Sequence, residues 1–135
     1  NPNRPEFAAE IRALASNPLF LGIRAGPPAE LTPDSLWWSD MDLLAELDLQ
    51  LDVLVRPFTA EVYAPILALA KRLPDLRIVI NHIAMLPVVG PEREIDPAHV
   101  ALMEEVAAHG NIFMKVRPPT PLLPCCRPPI GSAAS

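Results

Sequence analysis

Residues 77–87 read RIVINHIAMLP, and the fold turns on how that stretch is divided. Arg77 to Ile80 read as a strand, and Ile78, Val79 and Ile80 are the β-branched residues favoured where both faces of a strand are covered. Asn81 and His82 then break the apolar run, so the strand ends on a polar pair. The same kind of segment recurs on either side. NPLFLGIR predicts a strand over about 19–24, LDVLVR one over about 51–56, LRIVIN one over about 76–81, and NIFMKV one over about 111–116.

Helical patterns fill the intervals. Asn3 with Glu6 has the spacing of an N-terminal capping pair, with Phe7, Ile11 and Leu14 on one face behind it. Ser39 opens a segment with Leu43, Leu44 and Leu47 on one side. Val62, Ile66, Leu69 and Leu73 repeat at helical spacing, and Pro65 places that helix's start near Ala64, where proline is tolerated in the first turn. Asp96-Pro97 predicts a cap followed by proline at the first helical position, with Val100, Met103 and Val106 behind it and Gly110 as the stop.

The resulting order, αβαβαβαβ, implies an α/β fold with a parallel sheet and right-handed crossovers. Two architectures fit: an open doubly wound sheet, or part of a (βα)₈ TIM barrel. A complete barrel takes ~250 residues, so four βα units amount to about half of one.

Composition narrows the class. The chain has 135 residues, half of them hydrophobic, with a net charge of −5. No segment has the length and apolarity of a membrane span, and no secretory pattern opens the chain, so the expectation is a soluble, cytoplasmic protein with no membrane partner. The acidic balance, and the lack of a basic run with interleaved aromatics, argue against a nucleic-acid partner. Cys125 and Cys126 are adjacent and fit neither a disulfide framework nor a zinc site. No glycine-rich phosphate loop, nucleophile elbow or His-x-His pair is present.

The strand ends carry the functional signal. Arg24, Arg56, Asn81-His82 and Lys115 each lie at the end of a predicted strand. In parallel α/β folds the site lies at those carboxyl ends. Cations gathered there in an acidic protein suit a small anionic substrate such as a carboxylate, which arginine can hold through two parallel hydrogen bonds. If His82 faces a barrel interior, Asn81, of opposite parity, faces the helices. His99 and His109 lie on or after a helix, away from this rim. Trp37 and Trp38 are expected to pack onto the core from a loop.

The order and spacing of NPLFLGIRAG (17–26), LDLQLDVLVRP (47–57), LPDLRIVINHIA (73–84) and NIFMKV (111–116) resemble consecutive motifs of the amidohydrolase-related (amidohydrolase 2) family. The nearest branch is that of the fuconolactonase and 2-pyrone-4,6-dicarboxylate lactonase type, and the likeness covers about residues 3–116. It implies a TIM-barrel hydrolase in which an activated water attacks the carbonyl of a lactone, ester or amide. A carboxylate serves there as general base, and histidines polarise the carbonyl directly or through a divalent metal such as zinc. By resemblance, His82 matches the strand-end histidine, implied to be catalytic or to bind that metal. Arg24 matches the arginine of the Gly-x-Arg motif, implied to hold a substrate carboxylate, and Arg56 lines the same pocket. Asn81 stands where the family has aspartate.

The resemblance also implies a His-x-His strand that opens the barrel and a late aspartate as base; neither has a counterpart in this sequence. After Val116 the chain runs RPPTPLLPCCRPPIGSAAS, in which 6 of 19 residues are proline. Residues 117–135 are therefore expected to be a disordered tail, of a composition that fits a frameshifted reading of GC-rich DNA, behind a partial barrel domain over 1–116. On this basis the expected function is a fragment of such a hydrolase, inactive alone. The alternative is a non-catalytic half-barrel that binds a small anion or a partner chain, with self-association through its exposed edges. A sugar isomerase or epimerase barrel would need acidic metal ligands at strand ends that are here basic.

Overall fold

The computed structural model describes residues 1–85 and 95–116. The proposed tail over 117–135, with Cys125 and Cys126, lies outside the described residues. The elements run α1 (Phe7–Ala15), β1 (Gly22–Arg24), α2 (Leu36–Glu46), β2 (Gln50–Val53), α3 (Ala60–Arg72), β3 (Ile78–Ile80), a short 3₁₀ segment (Asn81–Met85), α4 (Pro97–Ala107) and β4 (Ile112–Met114). No helix among them is long and apolar enough to cross a membrane.

The four strands form one sheet in the order β1-β2-β3-β4, each neighbouring pair parallel. Their register puts Ile23, Leu51 and Ile78 in one row and Arg24, Asp52 and Val79 in the next, the latter continued by Phe113. Alternation then separates two faces. Leu51, Val53, Ile78 and Ile80 are buried and pack with Ile23, Ile112 and Met114 into two apolar clusters. Those clusters also hold the buried residues of all four helices, among them Phe7 and Ile11, Met41 and Leu44, Ile66 and Leu69, Leu102 and Val106. The other face carries Gly22, Arg24, Gln50, Asp52, Val79 and Phe113, none of them fully buried.

This arrangement decides between the two architectures. A doubly wound sheet has helices on both faces and reverses its strand order at a switch point. Here the order is sequential and all four described helices pack on the same face, which is the wall of a partial (βα)₈ barrel. Each fully buried Leu or Ile on that face contributes about 2 kcal/mol through area removed from water.

Several boundaries differ from those the sequence predicts. The strands are shorter, because residues 54–56 and 115–116 lie beyond the last paired positions. Glu6 precedes α1 without a side-chain cap, and Asn3 serves another helix. Asn3 adopts a left-handed backbone (φ 66°), its amide N–H donates to Asp40 Oδ2 at 2.6 Å, and its Oδ1 accepts the Trp37 N–H at 3.2 Å. It thus satisfies a free donor in the first turn of α2. Leu14, expected on the apolar face, is largely exposed.

Helix α2 begins at Leu36, not Ser39. Ser35 precedes it in extended conformation, and the Ser39 hydroxyl instead donates back to the Leu36 carbonyl at 2.8 Å. Trp37 and Trp38 therefore sit on a helix rather than a loop, with Trp37 fully buried. Helix α3 begins at Ala60, four residues before the expected start, and holds Pro65 in its interior. Proline there removes one helical hydrogen bond; burying Tyr63, Ile66 and Leu67 along the same helix offsets that loss. The α4 cap is as predicted: the Asp96 carboxylate accepts the Ala98 N–H at 2.9 Å, with Pro97 at the first position.

Candidate functional site

The uncovered face of the sheet concentrates its polar groups on β1 and β2. Gly22 lies opposite Gln50 and Arg24 opposite Asp52. Arg24 Nη2 donates to Asp52 Oδ2 at 3.3 Å, and Gln50 Nε2 donates to Asp52 Oδ1 at 3.2 Å. Both oxygens of Asp52 are thus engaged. Its side chain is 18% exposed, while Arg24 at 53% keeps much of its guanidinium open to solvent. A cavity of about 370 Å³ opens against this pair, lined also by Phe20 and by Gly22 and Gln50.

Two strands along, β3 delivers Asn81 and His82. Strand parity does not extend to this pair: the strand ends at Ile80 and the chain turns into a 3₁₀ segment, with His82 in a left-handed backbone conformation (φ 56°). Such a φ is uncommon for residues other than glycine, though histidine, asparagine and aspartate adopt it more readily than most, and Ala84 two residues on shares it (φ 53°). Asn81 is almost fully buried, and its Nδ2 donates to the Val53 carbonyl at 3.3 Å, tying this turn to the end of β2. That bond also fixes the amide's orientation, because a flipped Asn81 would oppose two oxygens. Oδ1 is buried and has no hydrogen-bond partner among the described residues. His82 is half-buried at the rim.

The remaining candidates are more dispersed. Arg56 is exposed in the loop after β2 and forms no ion pair with a described residue. Lys115 is exposed just past β4, where its backbone N–H donates to the Ile80 carbonyl. The structure therefore joins Arg24 to a partner on the next strand, but it makes no hydrogen bond from His82 to Arg24 or Arg56. His99 faces Phe58, ring centroids 6.0 Å apart, and His109 follows the end of α4. Trp38 stacks beneath the Arg72 guanidinium at 5.6 Å and lines a groove of about 650 Å³ between α2 and α3, on the helix side of the sheet.

The residues that sequence reasoning passed over are Gln50 and Asp52. Their signal was present: in LQLDV a polar residue recurs at every second position between apolar ones, the mark of a strand with one polar face.

No group of three or more His, Cys, Asp or Glu side chains among the described residues is arranged to hold a metal ion. The donor set also argues against one, since the Asp52 carboxylate already faces a guanidinium. These residues alone do not fit the zinc site implied by the resemblance, and His82 has no second ligand beside it among them.

A sequential parallel sheet backed by helices, with a guanidinium–carboxylate pair on its other face, defines the chain as part of a (βα)₈ barrel. Residues 1–130 match the family model described as Amidohydrolase, and the chain belongs to that family. It is 39% identical over 114 residues to an L-fucono-1,5-lactonase of Burkholderia ambifaria, an alignment covering 80% of this chain and 37% of that relative. The chain thus spans little more than a third of the curated relative's length. Among solved structures it is similar to Amidohydrolase 2 from Bifidobacterium longum subsp. infantis, with a TM-score of 0.49 and 15% identity over 83% of this chain and 50% of that one.

Proposed function

We propose that this chain supplies one wall of a hydrolase site for a small carboxylated lactone, ester or amide, with Arg24 as the substrate's carboxylate anchor. The observation that carries this reading is the half-exposed Arg24 guanidinium on the inner face of the sheet, held from one side by Asp52. One Nη is engaged; the rest of the planar fork is open to accept a carboxylate through two parallel hydrogen bonds. Arg56, on the loop that follows β2, adds positive charge at the same rim. In this reading His82, just past the end of β3, donates to a carbonyl oxygen as charge develops on it. The family membership supports hydrolysis as the reaction, and the relative named as a lactonase supports a lactone as the bond that is cleaved.

On this reading the general base and further ligands of a complete site come from outside the described residues, and the chain alone binds without turning over. Gluconate and glucono-1,5-lactone serve as probes. Calorimetry is expected to show gluconate binding that weakens at least about tenfold in Arg24→Ala, the loss of a charge-assisted pair. A pH-stat assay of the lactone is expected to give the buffer rate. Hydrolysis above that rate, reduced in His82→Ala, would show that these residues suffice for catalysis. Absence of gluconate binding would remove Arg24 from the anchor role.

A further inference from the structure

The Gly-x-Arg pair of β1 and the Gln-x-Asp pair of β2 interlock residue for residue. Gly22 faces Gln50 across the strands, and Arg24 faces Asp52. A Cβ at position 22 would collide with the Gln50 carbonyl oxygen and lie 2.6 Å from Gln50 Cγ, so the absent side chain of Gly22 is the space in which the Gln50 stem lies. From there the Gln50 amide reaches along its own strand to Asp52 Oδ1, and Asp52 Oδ2 takes Nη2 of Arg24.

We propose that Asp52, held by Gln50, is a positioning residue that sets the direction of the Arg24 fork for a substrate carboxylate; the inference rests on the anchor role proposed for Arg24. An arginine on an open sheet face has many rotamers, and only a few direct its fork across the sheet. A fixed carboxylate on the adjacent strand selects among them before the substrate arrives, which is how a supporting residue lowers the cost of ordering on binding.

Asp52 acts on an arriving anion in two ways of opposite sign, and this makes the idea testable. Its charge repels a second carboxylate, while its hold on Arg24 favours one. If Asp52 is only a counter-ion, Asp52→Ala tightens gluconate binding and Gln50→Ala, which leaves every charge in place, changes nothing. If Asp52 positions Arg24, both variants weaken gluconate binding, by about fivefold each, the worth of a hydrogen bond.

A second readout does not depend on the ligand. Side-chain ¹⁵N–¹H spectra of the full chain report rotation of the Arg24 guanidinium about its Nε–Cζ bond. Hindered rotation in the wild type that becomes fast in Gln50→Ala is the expected result. Should Asp52→Ala fail to fold by circular dichroism, Gln50→Ala carries both measurements. Fast rotation in the wild type, or tighter binding in Asp52→Ala with Gln50→Ala unchanged, overturns the positioning role. Hindered rotation lost in Gln50→Ala, together with no gluconate binding by the wild type, upholds the clamp and sinks the anchor role instead.

Discussion

At the scale of single residues, position 22 shows how a strand's neighbour dictates its sequence. Gly22 is needed less for its own backbone than for the atoms opposite it. Any side chain there meets the backbone carbonyl of Gln50, which cannot move without breaking the β1–β2 ladder. Gly22→Ala is therefore expected to destabilise the chain by ~3 kcal/mol, the upper end of overpacking costs, as read from the urea midpoint. Gly110, with nothing near its missing Cβ, provides the control: alanine there should move the midpoint far less. The glycine and arginine of this motif were legible in the sequence, as was the polar break at Asn81 and His82. The partners on β2 were not, because Gln50 and Asp52 sit within a run that reads as apolar overall, and only the strand period separates them from Leu51 and Val53. Nor could strand parity place His82. Parity holds while a strand lasts, and this one stops at Ile80.

At the scale of elements, the alternation of helix and strand was legible and the joints were not. Apolar periodicity reports which face is covered, and that survives errors of several residues at each end. Starts and stops depend on single polar groups whose partners lie far along the chain. Asn3 satisfies a donor of α2, 34 residues on. Asn111 plays the complementary part at the end of α3: the two hydrogens of its Nδ2 are shared among the carbonyls of Ala70, Leu73 and Leu76, at 3.1, 2.9 and 3.1 Å. Those carbonyls belong to the end of α3 and the turn after it, where helical partners run out. One amide thus closes α3 and fastens it to the start of β4. Asn111→Ala is expected to cost about 1–3 kcal/mol in urea unfolding, because the carbonyls of buried Ala70 and Leu76 lose this donor, while the Leu73 carbonyl keeps the Leu76 N–H. Asn111→Asp should cost more still, since it faces a carboxylate toward three oxygens. A loss below about 0.5 kcal/mol in Asn111→Ala would show that α3 closes without this staple.

At the scale of the whole molecule, the segment before α1 is fastened to the helix layer by one buried acid. Asp40 is 6% exposed on α2 and accepts the Asn3 N–H, which pins the segment before α1 against the helix layer. Burial raises the Asp40 pKa above the ordinary 3.8, and the Asn3 hydrogen bond pulls it back only in part. A carboxylate whose pKa is raised on folding favours the folded state in its protonated form. Its contribution is fully present below 3.8 and is lost as pH rises through the folded value, so near neutrality the ionised group strains the fold. Asparagine keeps an oxygen for the Asn3 N–H and cannot ionise. Asp40→Asn is therefore expected to melt above the wild type near neutral pH, and the gain should vanish below 3.8. The other carboxylates of this acidic chain titrate in both proteins alike, so the difference between the two melting curves isolates Asp40. A lower melting temperature for the variant at neutral pH would mean that the charged bond to Asn3 outweighs the burial of the acid, and that the clip is held by its charge rather than in spite of it.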